Sequence, residues 1–295
     1  MAKRPSRRRS RVHRVRALAG SIESARVEAF GRPQAEAAVD RTVRVVAEGD
    51  SWFSYVPPTD VLACLRNRLW DGWKYDVADR AKAGATLNDM VYGRDIIDTY
   101  QLIEEHRPEV LLFSGGGNDI AGGELYVLLY NKKAIELNAG IPRINRNILK
   151  GLVDEVFSTA YRDLLGLLRF KLRQVGTPNV PILLHGYDYA IPDGRGWLGG
   201  WGPLPGPWLD PSLTRKGYHR RTDATIRRVI VKELIDAFNG MLEAVVAREP
   251  HTHFVDLRGT LADSQWDNEL HPTKTGFLAV TQKIERKIRA AVART

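Results

Sequence analysis

The sequence predicts a doubly wound α/β domain with a mostly parallel sheet of five strands. Five short segments of almost continuous apolar residues alternate with helical patterns, and this alternation indicates parallel strands with helices on both faces of the sheet. The segments lack a polar face, as expected when both sides of a sheet are covered. A chain of 295 residues is long enough to bury the core of one large domain.

The predicted elements follow one another from the first apolar run to the carboxyl terminus. The strands are predicted at residues 43–47, 75–78, 109–113, 180–185 and 253–257. The main helices are predicted at residues 60–70, 95–105, 150–175 and 222–248, with a last helix after Pro272. Two segments interrupt this alternation, and we expect loop insertions near residues 120–147 and 188–218. The single domain is predicted to cover residues 43–295.

Residues 1–42 have a different composition and are predicted to form a basic arm and a linker. Residues 1–16 contain eight Lys and Arg and no acidic residue, so most of the net charge of +9 belongs to them. A helix is expected over residues 17–42. The arm is either a solvated tail or a contact with nucleic acid or an anionic surface. It has no aromatic residue that could stack on bases.

The composition argues against several classes of protein. No apolar run approaches the roughly 18 residues that span a bilayer, and the amino-terminal region lacks the apolar stretch of a secretory signal, so we expect a cytoplasmic protein. Cys64 is the only cysteine and is expected to be a buried thiol. His251 and His253 lie two residues apart, but no further ligand has metal-site spacing, so neither a metal nor another cofactor is expected.

Polar residues and glycines follow the predicted strands where loops converge in an open α/β sheet. They are Ser51 in "GDSW", Gly84 in "AGAT", Asn118 in "GGGND" and His271 in "NELHP". Each has an ordinary explanation by itself, such as a helix N-cap for Ser51 or a structural role for His271. Together they provide a nucleophile, a base, and oxyanion donors from the Ser51 and Gly84 backbone and the Asn118 amide.

These four blocks, in this order, resemble those of the SGNH (GDSL-type) hydrolases over residues 43–295. The resemblance implies a flavodoxin-like three-layer fold and serine ester hydrolysis without a metal. By position it implies that Ser51 is the nucleophile, that Gly84 and Asn118 complete the oxyanion hole, and that His271 is the base. The substrate would be a small-molecule, lipid or carbohydrate acyl ester, with its acyl group and alcohol left open.

The last block departs from the family pattern at the acid. The family usually has an aspartate three residues before the histidine, and here that position is Asn268. The acid holds the imidazole in the productive tautomer, a task that an asparagine performs in papain-like enzymes. We expect Asn268 to orient His271, while Asp267, one residue earlier, and Asp256 remain alternatives.

Four tryptophans are predicted to line the substrate site. Trp52 follows Ser51, and its ring and that of Phe53 are expected to be exposed. Trp197, Trp201 and Trp208 lie in a segment rich in Gly and Pro, and large rings in such a segment require burial or a ligand. We expect the four tryptophans to border one cleft, although packing over the edge of the sheet would also account for Trp197, Trp201 and Trp208.

The sequence therefore predicts an esterase or acylhydrolase that forms an acyl-enzyme. Two other classes are compatible with it. One is a binding protein that keeps the SGNH fold but has lost turnover, because the expected aspartate is missing. The other is a protein tethered to a polyanion through its basic arm.

Overall fold

A parallel sheet of five strands forms the centre of the structure, a computed structural model that describes residues 40–57, 59–199 and 204–294. The strands are β1 (Arg41–Gly49), β2 (Trp73–Asp79), β3 (Val110–Ser114), β4 (Ile182–His185) and β5 (Thr252–Val255). Their order across the sheet is β2-β1-β3-β4-β5, and each adjacent pair is parallel. This is the flavodoxin-like order. The predicted fold class is confirmed.

The central position of β1 follows from its sequence. Val45, Val46 and Ala47 are buried and pair with β2 on one side and β3 on the other. The strand begins at Arg41, which pairs with Trp73. The predicted linker helix is therefore wrong at residues 41 and 42, which belong to β1. The rest of that helix and the basic arm lie outside the described residues.

Ten α-helices connect and cover the described strands. They are α1 (Val61–Arg66), α2 (Leu87–Tyr92), α3 (Asp95–His106), α4 (Gly123–Leu128), α5 (Lys132–Leu137), α6 (Arg146–Lys150), α7 (Ser158–Gln174), α8 (Asp210–Arg215), α9 (Ala224–Val246) and α10 (Lys274–Val292). Helix α10 packs against α1 and β5, while α7 packs against α2, α3 and α9. The sheet therefore lies between two helical layers. None of the helices in the described part of the chain is both long and apolar enough to cross a membrane.

The main differences from the predicted elements concern short helices. The first predicted helix ends at Arg66 instead of residue 70, because the chain turns there and Trp70 forms a bridge with Trp73. The predicted helix at 150–175 is π-helical over Gly151–Phe157 before α7 begins. The two predicted insertions contain α4, α5, α6 and α8, which are too short to give a clear apolar period.

Arg169 on α7 joins the amino-terminal ends of β4 and β5. Its buried guanidinium donates to the carbonyl oxygens of Val180 at 2.6 Å and His251 at 2.6 Å, and also to those of Pro178 and Pro250. Burial lowers the pKa of Arg169 to about 10, because the charged form loses hydration. One side chain thus satisfies carbonyl groups at the end of the sheet opposite the strand ends that bear Ser51.

We expect Arg169→Met to destabilise the fold by about 3 kcal/mol, because four carbonyl oxygens lose a charged donor while the side chain keeps its volume. Chemical denaturation followed by circular dichroism measures the change. Arg173→Met, at an exposed position of the same helix, is the control and should stay within about 0.5 kcal/mol of wild type. Equal stabilities for the two variants would contradict this role.

Candidate active site

Ser51 lies in a tight turn directly after β1. Gly49 is needed there, because a Cβ on it would come within 2.8 Å of the Ser114 carbonyl oxygen. The buried carboxylate of Asp50 accepts hydrogen bonds from the Trp52 backbone N–H at 2.9 Å and the Ser114 hydroxyl at 2.9 Å. Ser51 does not cap the following helix, since Asp60 caps α1. The turn is thus held by its neighbours, and the serine hydroxyl is left for another contact.

The Ser51 hydroxyl is hydrogen bonded to His271, from the loop before α10. The Ser51 Oγ atom lies 2.7 Å from His271 Nε2, and the Asn268 Oδ1 atom lies 2.9 Å from His271 Nδ1. The same Oδ1 accepts the backbone N–H groups of Leu270 and His271, each at 3.0 Å. Because those groups can only donate, the amide orientation and the tautomer are fixed: Nδ1–H donates to Asn268, and Nε2 accepts the Ser51 proton.

A second set of contacts holds the Asn268 amide. Its Nδ2 group donates to the Tyr55 hydroxyl at 2.9 Å and to Asp267 Oδ2 at 3.3 Å, and the Tyr55 hydroxyl donates to Asp267 at 2.9 Å. The Tyr55 ring also stacks on the imidazole of His271, with centroids 4.5 Å apart. Asp267 is therefore linked to the imidazole indirectly, by two successive hydrogen bonds through the Asn268 amide.

The other candidate acid, Asp256, is engaged elsewhere. Both of its carboxylate oxygens accept hydrogen bonds from the Arg258 guanidinium, at 2.9 Å and 2.7 Å. Of the three candidates, Asn268 is the one whose side chain is hydrogen bonded to the imidazole.

The environment of His271 favours its neutral form. The side chain is 5% exposed, and the ring of Trp208 meets it edge to face with centroids 5.3 Å apart. Burial lowers the pKa of His271 to about 4. The imidazole is thus unprotonated near neutral pH and can accept a proton from Ser51.

The loops after β2 and β3 bring Gly84 and Asn118 close to each other. The Asn118 amide donates to the Ala85 carbonyl oxygen at 2.9 Å, and the Asp119 carboxylate accepts the Leu87 backbone N–H at 3.0 Å. Gly84 has φ of +83°, a left-handed conformation that favours glycine. Among the described residues, no group accepts the backbone N–H of Ser51 or Gly84. The second N–H of the Asn118 amide and these two backbone groups are therefore left without acceptors in this part of the chain, and Ser51 and Asn118, but not Gly84, line the same cavity.

An apolar cavity opens beside Ser51. Its volume is about 70 Å³, taken as the space open to the centre of a water-sized sphere. Polar groups from Ser51, Gly117 and Asn118 contribute to its lining, and α9 contributes Leu234 and Phe238. The remaining lining residues include Trp52, Ile120, Leu209, Val231, Trp266 and Leu270.

The predicted tryptophans have different surroundings. Trp52 is buried, as is Phe53, so the expected exposure of the two rings is wrong; Trp52 instead lines the cavity and donates from Nε1 to the Leu270 carbonyl oxygen at 3.1 Å. Trp208 contacts His271, and Trp197 donates to the Val56 carbonyl oxygen at 2.7 Å. Neither of these two tryptophans is part of the cavity lining. Trp201 lies outside the described residues.

Sequence reasoning missed three residues of the site. Tyr55 packs against His271, Tyr187 donates to Asp50 and accepts from the Gly117 backbone N–H, and Glu269 is fully buried. Tyr55 belongs to the "SWFSY" block and Glu269 to the "NELHP" block, but the pattern of apolar and polar residues in these blocks does not indicate which residues the two side chains contact. In the described ranges, no group of three or more His, Cys, Asp or Glu is arranged to hold a metal ion.

Comparisons with known proteins give similarities in structure. A lipase from a goat rumen metagenome is 14% identical, with 84% of this chain and 97% of that chain covered and a TM-score of 0.49. The family 3 carbohydrate esterase of Clostridium thermocellum is 14% identical, with 85% and 98% covered and a TM-score of 0.45. A catalytic mutant of the acetylxylan esterase Axe2 from Geobacillus stearothermophilus is 13% identical, with 86% and 96% covered and a TM-score of 0.41. No protein-family model and no curated protein matches the chain.

For ester hydrolysis in which Ser51 gives its proton to His271, the lowered pKa of His271 predicts an unusually acidic limit of activity. Only the neutral imidazole can accept the Ser51 proton, so activity should persist as pH falls through 6.5 and be lost near pH 4. The pH dependence of kcat/KM for a neutral ester measures this limit. A midpoint between pH 6 and 7 (roughly the ordinary histidine range) would contradict it.

For the same hydrolysis by Ser51 and His271, the contact between Asn268 and His271 predicts how variants of the loop behave. Asn268→Ala should slow hydrolysis by about 10- to 1,000-fold, because the tautomer is no longer fixed. Asn268→Asp should retain activity and move its acidic limit to higher pH, because a carboxylate beside Nδ1 stabilises the imidazolium. Steady-state kinetics over a range of pH measure both effects.

Asp267→Asn is the matched control for these variants. It should change the rate by less than about tenfold, because Tyr55 still holds the Asn268 amide and the bond to His271 remains. If Asp267→Asn instead loses most of its hydrolytic rate while Asn268→Ala keeps the wild-type rate, Asp267 is the acid.

Proposed function

We propose that the protein hydrolyses carboxylic esters through an acyl-enzyme on Ser51. The observation that carries the proposal is the 2.7 Å contact between Ser51 Oγ and a buried, neutral His271, beside an apolar cavity. A serine hydroxyl that donates to an imidazole of fixed tautomer is the arrangement required for nucleophilic attack at neutral pH.

In the first half of the reaction, Ser51 Oγ attacks the ester carbonyl carbon while its proton passes to His271 Nε2. The carbonyl oxygen gains negative charge, which the backbone N–H groups of Ser51 and Gly84 and the side-chain amide of Asn118 stabilise. The tetrahedral intermediate then collapses, the bond to the alcohol oxygen breaks, and His271 returns the proton to the departing alcohol.

In the second half, water replaces the alcohol. His271 accepts a proton from the water as its oxygen attacks the acyl carbon, and the same donors stabilise the second oxyanion. Collapse breaks the bond to Ser51 Oγ, which takes the proton back from His271, and the carboxylic acid is released. Asn268 accepts from Nδ1–H throughout, while Asp267 places negative charge within two contacts of the transient imidazolium.

The cavity supports an apolar acyl group as the part of the substrate held beside Ser51. Its wall is formed mainly by Leu, Ile, Val and aromatic side chains, which favour hydrocarbon over a sugar or a charged group. A volume of about 70 Å³ is several times the roughly 10–15 Å³ that one water requires, so a short chain of methylene groups fits.

Replacement of the nucleophile tests the proposal. Ser51→Ala should lower ester hydrolysis by at least about 10³-fold and abolish labelling by a fluorophosphonate probe. Its stability should be close to that of wild type, because Ser51 caps no helix. Ser54→Ala, in the same turn, is the control and should keep both activity and labelling.

A binding protein without turnover is the alternative, and the asparagine in place of the usual aspartate favours it. In that case wild-type protein would bind carboxylic acids in the cavity but would neither hydrolyse a panel of esters nor react with the fluorophosphonate. Stoichiometric labelling of wild type at Ser51 would exclude it.

A further inference from the structure

Glu269, two residues before His271, is a fully buried carboxylate in a loop that contacts the cavity. Its Oε2 atom accepts the backbone N–H groups of Trp208 and Leu209, each at 2.7 Å. Its Oε1 atom accepts those of Gly194 at 2.9 Å and Asp210 at 3.1 Å. Four backbone donors from two separate stretches of chain thus converge on one side chain.

The residues that Glu269 holds form part of the site. Leu209 lines the apolar cavity, and Trp208 meets the imidazole of His271. Arg195 adds to the same attachment, because its guanidinium donates to the Trp266 carbonyl oxygen at 2.7 Å and its own carbonyl accepts the Glu269 backbone N–H. We call the segment with Trp208 and Leu209 the wall. Its position relative to His271 therefore depends on contacts that centre on Glu269.

The buried carboxyl group makes this attachment sensitive to a small chemical change. Burial raises the pKa of Glu269 to about 7, although the N–H donors favour its ionised form. A glutamine of the same shape would turn an –NH₂ group toward backbone N–H groups, which are also donors. At least two of the four bonds would be lost without removing any heavy atom.

We infer that Glu269 is a positioning residue that fixes the wall of the acyl cavity against His271 and so determines which acyl chains are accepted. This inference rests on the proposed ester hydrolysis, since the cavity is assigned to the acyl group on that basis. We expect an acetyl group to end close to Ser51 and to depend little on the wall, and a longer chain to reach Leu209, which lines the same cavity.

The test compares p-nitrophenyl acetate with p-nitrophenyl hexanoate on wild-type protein and Glu269→Gln. The variant should raise KM for the hexanoate about tenfold and that for the acetate by less than about threefold, because only the longer chain uses the displaced wall. A merely structural role would lower the amount of active enzyme and change kcat equally for both esters.

Glu285→Gln is the matched control. Glu285 is another buried carboxylate, which accepts from Tyr75 and Arg289 near the edge strand β2. This variant should lose stability but keep the wild-type ratio of the two KM values. Arg195→Ala weakens the same attachment at a partly exposed position. It should change the ratio of the two KM values in the same direction as Glu269→Gln, by a smaller factor, and it replaces Glu269→Gln in the test if that variant does not fold.

Calorimetric binding of hexanoate separates this inference from the proposed function. Ser51→Ala should bind hexanoate. The double variant Ser51→Ala with Glu269→Gln should bind it about tenfold more weakly. If that variant does not fold, Ser51→Ala with Arg195→Ala takes its place and should bind hexanoate about threefold more weakly. If wild-type protein hydrolyses no ester but these affinities differ as expected, the reaction is wrong and the role of Glu269 stands. If hexanoate affinity and the KM ratio are unchanged by both substitutions, the role of Glu269 is overturned.

Discussion

The fixed tautomer of one buried imidazole is the constraint on which the rest of the site depends. His271 has a hydrogen-bond partner on each ring nitrogen, and the direction of both bonds follows from the two backbone N–H groups that share Asn268 Oδ1. Within the described part of the chain no carboxylate is hydrogen bonded to the ring, so burial lowers the pKa of His271 without an opposing ion pair. An amide thus holds the imidazole in one tautomer while leaving it weakly basic, and the Asp267 carboxylate lies behind that amide.

The loop that carries His271 connects three parts of the molecule. Asn268 faces the imidazole and Tyr55, Glu269 faces the segment that contains Trp208 and Leu209, and the Leu270 carbonyl oxygen accepts the indole N–H of Trp52. The loop then leads directly into α10, which packs on the sheet. The imidazole of His271, the segment with Trp208 and Leu209, and the turn after β1 are therefore held by adjacent residues, so a shift of one would displace the others.

The fold was largely predictable because its strands are buried on both faces and therefore read as apolar runs. The residues at the strand ends could be located for the same reason. The partners of those residues could not be, since the hydroxyl of Tyr55 meets Asp267 across 212 positions of sequence and no local period records such a contact. The burial of Trp52 was missed because its neighbours, Trp266 and Phe277, come from the last part of the chain. The short helices were missed because one or two turns give too little periodicity.

The carbonyl groups gathered by Arg169 have a consequence for the kinetics of folding. The residues that they belong to lie between 9 and 82 positions away along the chain, so the longer contacts form only after β5 has docked beside β4. Interactions of such long sequence separation are typically absent from much of the transition state and become complete late. Their loss would then increase the rate of unfolding far more than it slows folding. Arg169 therefore slows unfolding and lengthens the lifetime of the native sheet.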